Sequence, residues 1–191
     1  MAVTPLDSNI ALILIDLQKG IVGYPTVHPI GPILERASAL AEAFRRKRLP
    51  VILVNVDAGA PGRTEQPRRG PFPAGFSDLV AELNQQPEDH QVTKRTWGAF
   101  TNTGLADHLE RIGVTQVVIC GVSTSIGVES TARQAHELGL NVVLAIDAMT
   151  DMNADAHENS VARIFPRLGE TATTQQIVDL LNSPDTSSGT H

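Results

Sequence analysis

A three-layer α/β domain with a mostly parallel sheet is the fold class this sequence predicts, and three observations carry the prediction. Apolar runs of strand length recur at Ile10 to Ile15, Val51 to Val56 and Val117 to Cys120, as strands buried on both faces require. Segments with helical spacing lie between them, long enough for right-handed crossovers. Asp16, Lys94 and a small-residue elbow, Gly121 to Gly127, all fall at carboxyl ends of strands, where such sheets bind ligands.

The first strand, IALILI, is uniformly aliphatic and stops at Asp16. Pro32 to Arg48 places Ile33, Leu40, Ala43 and Phe44 on one helical face, opposite Glu35, Arg36 and Arg45. Pro50 opens the second strand, Val51 to Val56. Ala58 to Gly75 carries several glycines and prolines without periodicity, a loop of the length that serves as a lid or is disordered. Phe76 to Leu83 reads as a short helix, and Gln91 to Thr93 as a short strand ending at Lys94. Thr103 to Ile112 is helical and stops at Gly113. Val117 to Cys120 leads through the elbow into a helix from Thr124 to Leu138, ended by Gly139. Val142 to Ile146 is a strand finishing at Asp147, and Ala154 to Phe165 a helix. Thr171 to Thr173 reads as an edge strand, and Thr174 to Leu181 as the last helix. One domain over residues 1–182 and a polar, frayed tail over 183–191 complete the organisation, without internal repeats.

The 191 residues suffice for one domain with a sizeable core. A formal charge of −6 argues against a nucleic-acid partner, which needs clustered basic surface. Arg45 to Arg48 reads as a solvated helix end, where cations suit the dipole. The single cysteine, Cys120, excludes an internal disulfide and sits in an apolar strand as a small core residue. No leader-like amino terminus and no apolar run of membrane-spanning length are present, so a cytoplasmic protein without a membrane partner is expected. The six histidines show no metal-like spacing, and Gly20 and Gly23 form no phosphate loop, so neither metal nor organic cofactor is expected.

Asp16 carries the strongest chemical signal. A carboxylate at a buried strand end costs free energy unless it is paired or used. Lys94 closes another strand, with Trp97 and a small residue just beyond. The elbow points backbone N–H groups of a helix start outward, where developing negative charge is favoured. Ser123, Thr124 and Ser125 supply hydroxyls there, although small polar residues at a helix start commonly serve as caps.

Three separated segments, ALILIDLQKG, TKRTWGAF and VVICGVSTSIGVESTARQAHELG, together resemble the isochorismatase-like hydrolase family, in order and at its spacing, from about Ile10 to Leu181. The resemblance implies a Rossmann-like fold with six strands, a small-molecule substrate and a homo-oligomer. The family's cysteine hydrolases use an Asp, Lys, Cys triad. Asp16 and Lys94 match the first two, but Gly127 occupies the cysteine position. Loss of a nucleophile from an acyl-transfer site costs on the order of 10⁶ in kcat, so covalent amidase chemistry is not expected.

True isochorismatases resemble this chain in having glycine at that place, and their vinyl ether cleavage needs no protein nucleophile. The resemblance therefore casts Asp16 as a general acid, Lys94 as its charged neighbour and Gly127 as part of the catalytic group. It casts Gln18, Trp97, Ser123 and Ile126 as substrate contacts, and Arg63, Arg68 and Arg69 in the long loop as anchors for an anionic substrate. A non-proline cis peptide is implied between Val122 and Ser123. The nicotinamidase branch binds a metal through an Asp-x-His element. This chain has NVDAG there and no histidine between that segment and His90, so that metal site is not expected. The alternatives are a catalytically silent member that binds a metabolite or partner, and an amidase using one of the nearby hydroxyls.

Overall fold

Six parallel strands form the sheet, in the order β3-β2-β1-β4-β5-β6. The structure, a computed structural model, describes residues 4–65 and 72–183. The strands are β1 (Ile10–Ile15), β2 (Val51–Val56), β3 (His90–Lys94), β4 (Gln116–Val122), β5 (Asn141–Thr150) and β6 (Glu170–Ala172). The helices are α1 (Lys19–Val22), α2 (Ile30–Arg46), α3 (Leu105–Arg111), α4 (Glu129–Glu137), α5 (Ala154–Asn159), α6 (Phe165–Leu168) and α7 (Thr174–Asn182).

Alternate residues of each interior strand enter opposite core layers, because successive side chains of a strand point to opposite faces. Leu12, Leu14 and Val118 pack under α2 and α7 with Leu40, Phe44 and Ile177. Ile13, Ile15 and Ile119 pack on the other face with Leu109 of α3, Ala132 of α4 and Phe165 of α6. Strand order reverses between β1 and β4, and it is beyond the carboxyl ends at such a reversal that α/β sheets bind ligands. Gly121 is essential to that seam. It pairs with Ile15 at φ +121, and a Cβ there would stand 2.1 Å from the Ile15 carbonyl oxygen.

Several expectations need correction. Phe76 to Leu83 is not a helix but a series of turns ending in a single 3₁₀ turn, Ala81–Leu83. Its backbone is drawn to the end of β1 instead, with Gln18 bridged to Leu79 and the Val80 N–H bound to the Leu17 carbonyl. β5 does not finish at Asp147 but runs on to Thr150. Asp147 instead caps α7, accepting from the Thr174 N–H at 2.7 Å and its Oγ1 at 2.9 Å. Thr173 lies beyond β6 as the N-cap of α7, in a reciprocal capping box with Gln176.

Arg45 is not solvated. Its side chain is 16 % exposed and grips Asp89 at 2.6 Å and the Leu83 carbonyl at 3.1 Å. Cys120 is fully buried, and burial pushes its thiol far above the ordinary range. Of the tail, only Ser183 belongs to the described residues. No helix among the described residues is long and apolar enough to cross a membrane.

Candidate active site

Asp16 follows β1 with φ 52, in the left-handed region that costs a non-glycine residue about 1–2 kcal/mol. Its N–H is held by the Val54 carbonyl of β2 at 2.9 Å. The side chain meets Lys94 from the end of β3, with Nζ 2.8 Å from Oδ2. Lys94 Nζ also donates to the Thr96 carbonyl at 3.1 Å. Asp16 is 6 % and Lys94 2 % exposed, so two residues 78 positions apart form a buried ion pair.

The pair is asymmetric. Asp16 Oδ1 is buried and has no hydrogen-bond partner. Burial raises the Asp16 carboxyl to about 6 and outweighs the opposing pull of Lys94 through charge and hydrogen bonding. A carboxyl poised there can hold a proton near neutrality and donate it to a bound molecule.

The elbow after β4 lies against this pair. The Val122–Ser123 peptide is cis, and Thr124–Val128 forms one wide π turn before α4, a local form frequent at functional sites. A Cβ at Gly127 would lie 3.3 Å from Asp16 Oδ2 and 2.9 Å from Ile15 Cγ2. The glycine thus lets the turn close on the carboxylate. Gly127→Ala is expected to cost about 1–3 kcal/mol through overpacking against branched Ile15, measured by urea unfolding.

The three hydroxyls of the turn are committed elsewhere. Ser123 Oγ donates to Met152 Sδ at 3.3 Å, and Thr124 Oγ1 pairs with His157 Nδ1 at 2.8 Å. Ser125 donates both its N–H and its Oγ to Asp151 Oδ2, each at 2.8 Å. Burial and the neighbouring His28 hold His157 below the usual imidazole range, against the opposing pull of Asp151 and Glu158. Asp151 also accepts the Asn153 N–H at 3.1 Å, so one buried carboxylate fixes both the turn and the start of α5. Asp151→Ala is expected to lower stability by about 1 kcal/mol, because it removes the acceptor of the half-buried Ser125 N–H and Oγ and of the Asn153 N–H. Thermal denaturation measures that loss.

Other sequence candidates fall differently. Gln18 is wholly buried and turns to backbone, donating to Val56 and Phe76 carbonyls and accepting the Val56 N–H. That makes it a tie between the ends of β1 and β2 instead of a substrate contact. Ile126 is half-buried in the π turn, and Ser123 is 7 % exposed. Trp97, on the loop after β3, is 64 % exposed. Arg63 is exposed, and Arg68 and Arg69 lie outside the described residues.

Sequence reading missed Asp151 and His157. Asp151 follows a polar interruption at Asp147 that looked like a strand end, and His157 has no sequence neighbour that marks it. Among the described residues, no three His, Cys, Asp or Glu side chains are grouped to hold a metal ion. A cavity of about 1180 Å³ opens at the opposite end of β2 and β3, lined by Arg45, Arg48, His90 and His108, and includes none of these site residues.

The Asp–Lys pair and the glycine-opened turn lie where the order of a parallel sheet reverses, the place at which α/β folds bind ligands. The chain belongs to the isochorismatase family of hydrolases: residues 10–176 match the isochorismatase domain. It is 39 % identical over 178 residues to the isochorismatase family protein YwoC of Bacillus subtilis, covering 88 % of this chain and 92 % of that protein. It is 40 % identical over 179 residues to the family protein YecD of Escherichia coli O157:H7, covering 90 % and 95 %. The solved structure of an isochorismatase family protein from Burkholderia thailandensis superposes with a TM-score of 0.91 at 38 % identity, over 95 % of this chain and all of that one.

Proposed function

We propose that this protein hydrolyses a small anionic molecule through Asp16 and Lys94, without a protein nucleophile or a metal, and that a vinyl ether of the isochorismate type is the substrate. The carrying observation is the buried Asp16 carboxyl, raised to about 6, with Oδ1 unpartnered and Oδ2 held by Lys94 beside the closely packed Gly127 turn.

Asp16 donates its proton to the terminal enol carbon, which generates an oxocarbenium ion. Water adds to that ion, and the resulting hemiketal collapses to a ketone and an alcohol while a proton returns to Asp16. Lys94 holds the carboxyl in place and balances its charge once the proton has left. We assign Trp97 and Ile126 as apolar substrate contacts and the loop arginines Arg63, Arg68 and Arg69 as the groups that receive the substrate carboxylates.

The test is to assay the purified protein against isochorismate and a panel of amides, with Asp16→Asn as the control. Turnover of isochorismate that vanishes in the control supports the reading. Activity that survives Asp16→Asn removes the assigned acid.

A binding-only role is the second reading, favoured by the closeness of the Gly127 turn to Asp16 and the slight exposure of the ion pair. Thermal shift with a metabolite library, without turnover, supports it. The complete burial of Thr124 and the commitment of the Ser123 and Ser125 hydroxyls to Met152 and Asp151 speak against an amidase that uses one of them. We place the protein in the cytoplasm as a homo-oligomer. The exposed Trp97 supports a partner copy, and size-exclusion chromatography tests for one.

A further inference from the structure

Thr131 lies on α4, four residues after Gly127, and is fully buried. Its Oγ1 donates to the Gly127 carbonyl at 2.7 Å, the back-bond any helical threonine can make to the preceding turn. The same oxygen accepts the Ala99 N–H at 3.1 Å, from the loop that follows β3. That second bond is not a helical habit. One turn further along α4, half-buried Gln134 does likewise, accepting the Phe100 N–H at 3.1 Å and donating to Thr101 Oγ1 at 2.7 Å.

These bonds, with one close approach, connect the two members of the ion pair by a second route. Lys94 Nζ binds the Thr96 carbonyl, and Thr96 Oγ1 binds the Gly98 carbonyl at 2.9 Å. Ala99 leads to Thr131, Thr131 to Gly127, and Gly127 faces Asp16 Oδ2. We propose that Thr131 is a positioning residue: its single hydroxyl pins the loop that follows Lys94 to the Gly127 turn and so keeps water from the Asp16 carboxyl. The inference rests on the reading of Asp16 and Lys94 as the reacting pair. Its consequence for Asp16 is observable without any turnover, so it can fail while the proposed chemistry stands, and the reverse.

The experiment is a carbon-13 NMR titration of the Asp16 carboxyl, assigned with Asp16→Asn, in the intact protein and in variants. Thr131→Val keeps the shape and removes the hydroxyl, Thr131→Ser restores it, and Ile177→Val trims the opposite core layer without touching the site. The wild-type midpoint is expected near the raised value of about 6. In Thr131→Val it falls toward the ordinary 3.8, because admitted water relieves the burial that dominates the shift. Thr131→Ser and Ile177→Val retain the wild-type midpoint. An unchanged or raised midpoint in Thr131→Val, or an equal fall in Ile177→Val, overturns the assignment. Should Thr131→Val not fold, Gln134→Ala loosens the same loop from a half-buried position. A fall there supports the clamp, and no fall overturns it.

Discussion

Asp16→Asn is expected to lower turnover by about 10² to 10⁴-fold, the usual contribution of a positioned general acid. Asparagine keeps the shape of the side chain but has no proton to give. The pH dependence follows from the same group. If Asp16 is the acid we propose, only its protonated form donates, so the kcat/KM of the wild type is expected to be highest below about pH 6 and to fall as pH rises through that value. A profile flat from pH 5 to 8, or one that rises through 6, removes Asp16 from the acid role.

Lys94→Met is expected to cost about 3–5 kcal/mol above pH 6, the penalty for leaving a buried charge without its partner. Below that pH the loss shrinks, since Asp16 is then neutral. The wild-type carboxyl is raised in the folded state from 3.8 to about 6. Its contribution to stability is therefore full below 3.8 and is lost as pH rises through about 6. Removing the ammonium, which opposes the upward shift, steepens that loss. Guanidinium unfolding at pH 5 and pH 8 measures it, and equal losses at both pH values would contradict a charged Asp16 in the folded state.

The sheet was legible in the sequence because interior parallel strands must be apolar on both faces, which leaves the runs at Ile10, Val51 and Val117 little room for ambiguity. Asp16 and Lys94 stood out for the complementary reason, as charges where burial was implied. What the pattern could not reveal depends on contacts made across the fold. Asp147 broke an apolar run without ending the strand, because its carboxylate is used by α7 from the neighbouring layer. The segment from Phe76 to Leu83 had helical spacing, yet bonds to Gln18 and Leu17 set its backbone. Gln18 looked like a ligand contact because a glutamine after a strand end does not disclose whether it faces a pocket or two carbonyls. The commitment of the turn hydroxyls to Met152, His157 and Asp151 was hidden in the same way, since those partners lie 26 to 33 residues further along the chain.

β1 is interior to the sheet, whereas β3 is its rim and touches β2 alone. Asp16 therefore comes from a strand with neighbours on both sides and Lys94 from one with a neighbour on only one side. Rim strands detach by local opening at lower free energy than the whole molecule unfolds. Peeling β3 would separate Asp16 from Lys94 while most of the sheet stays assembled, so the buried ion pair is tied to the periphery of the molecule and can be lost well before its architecture is.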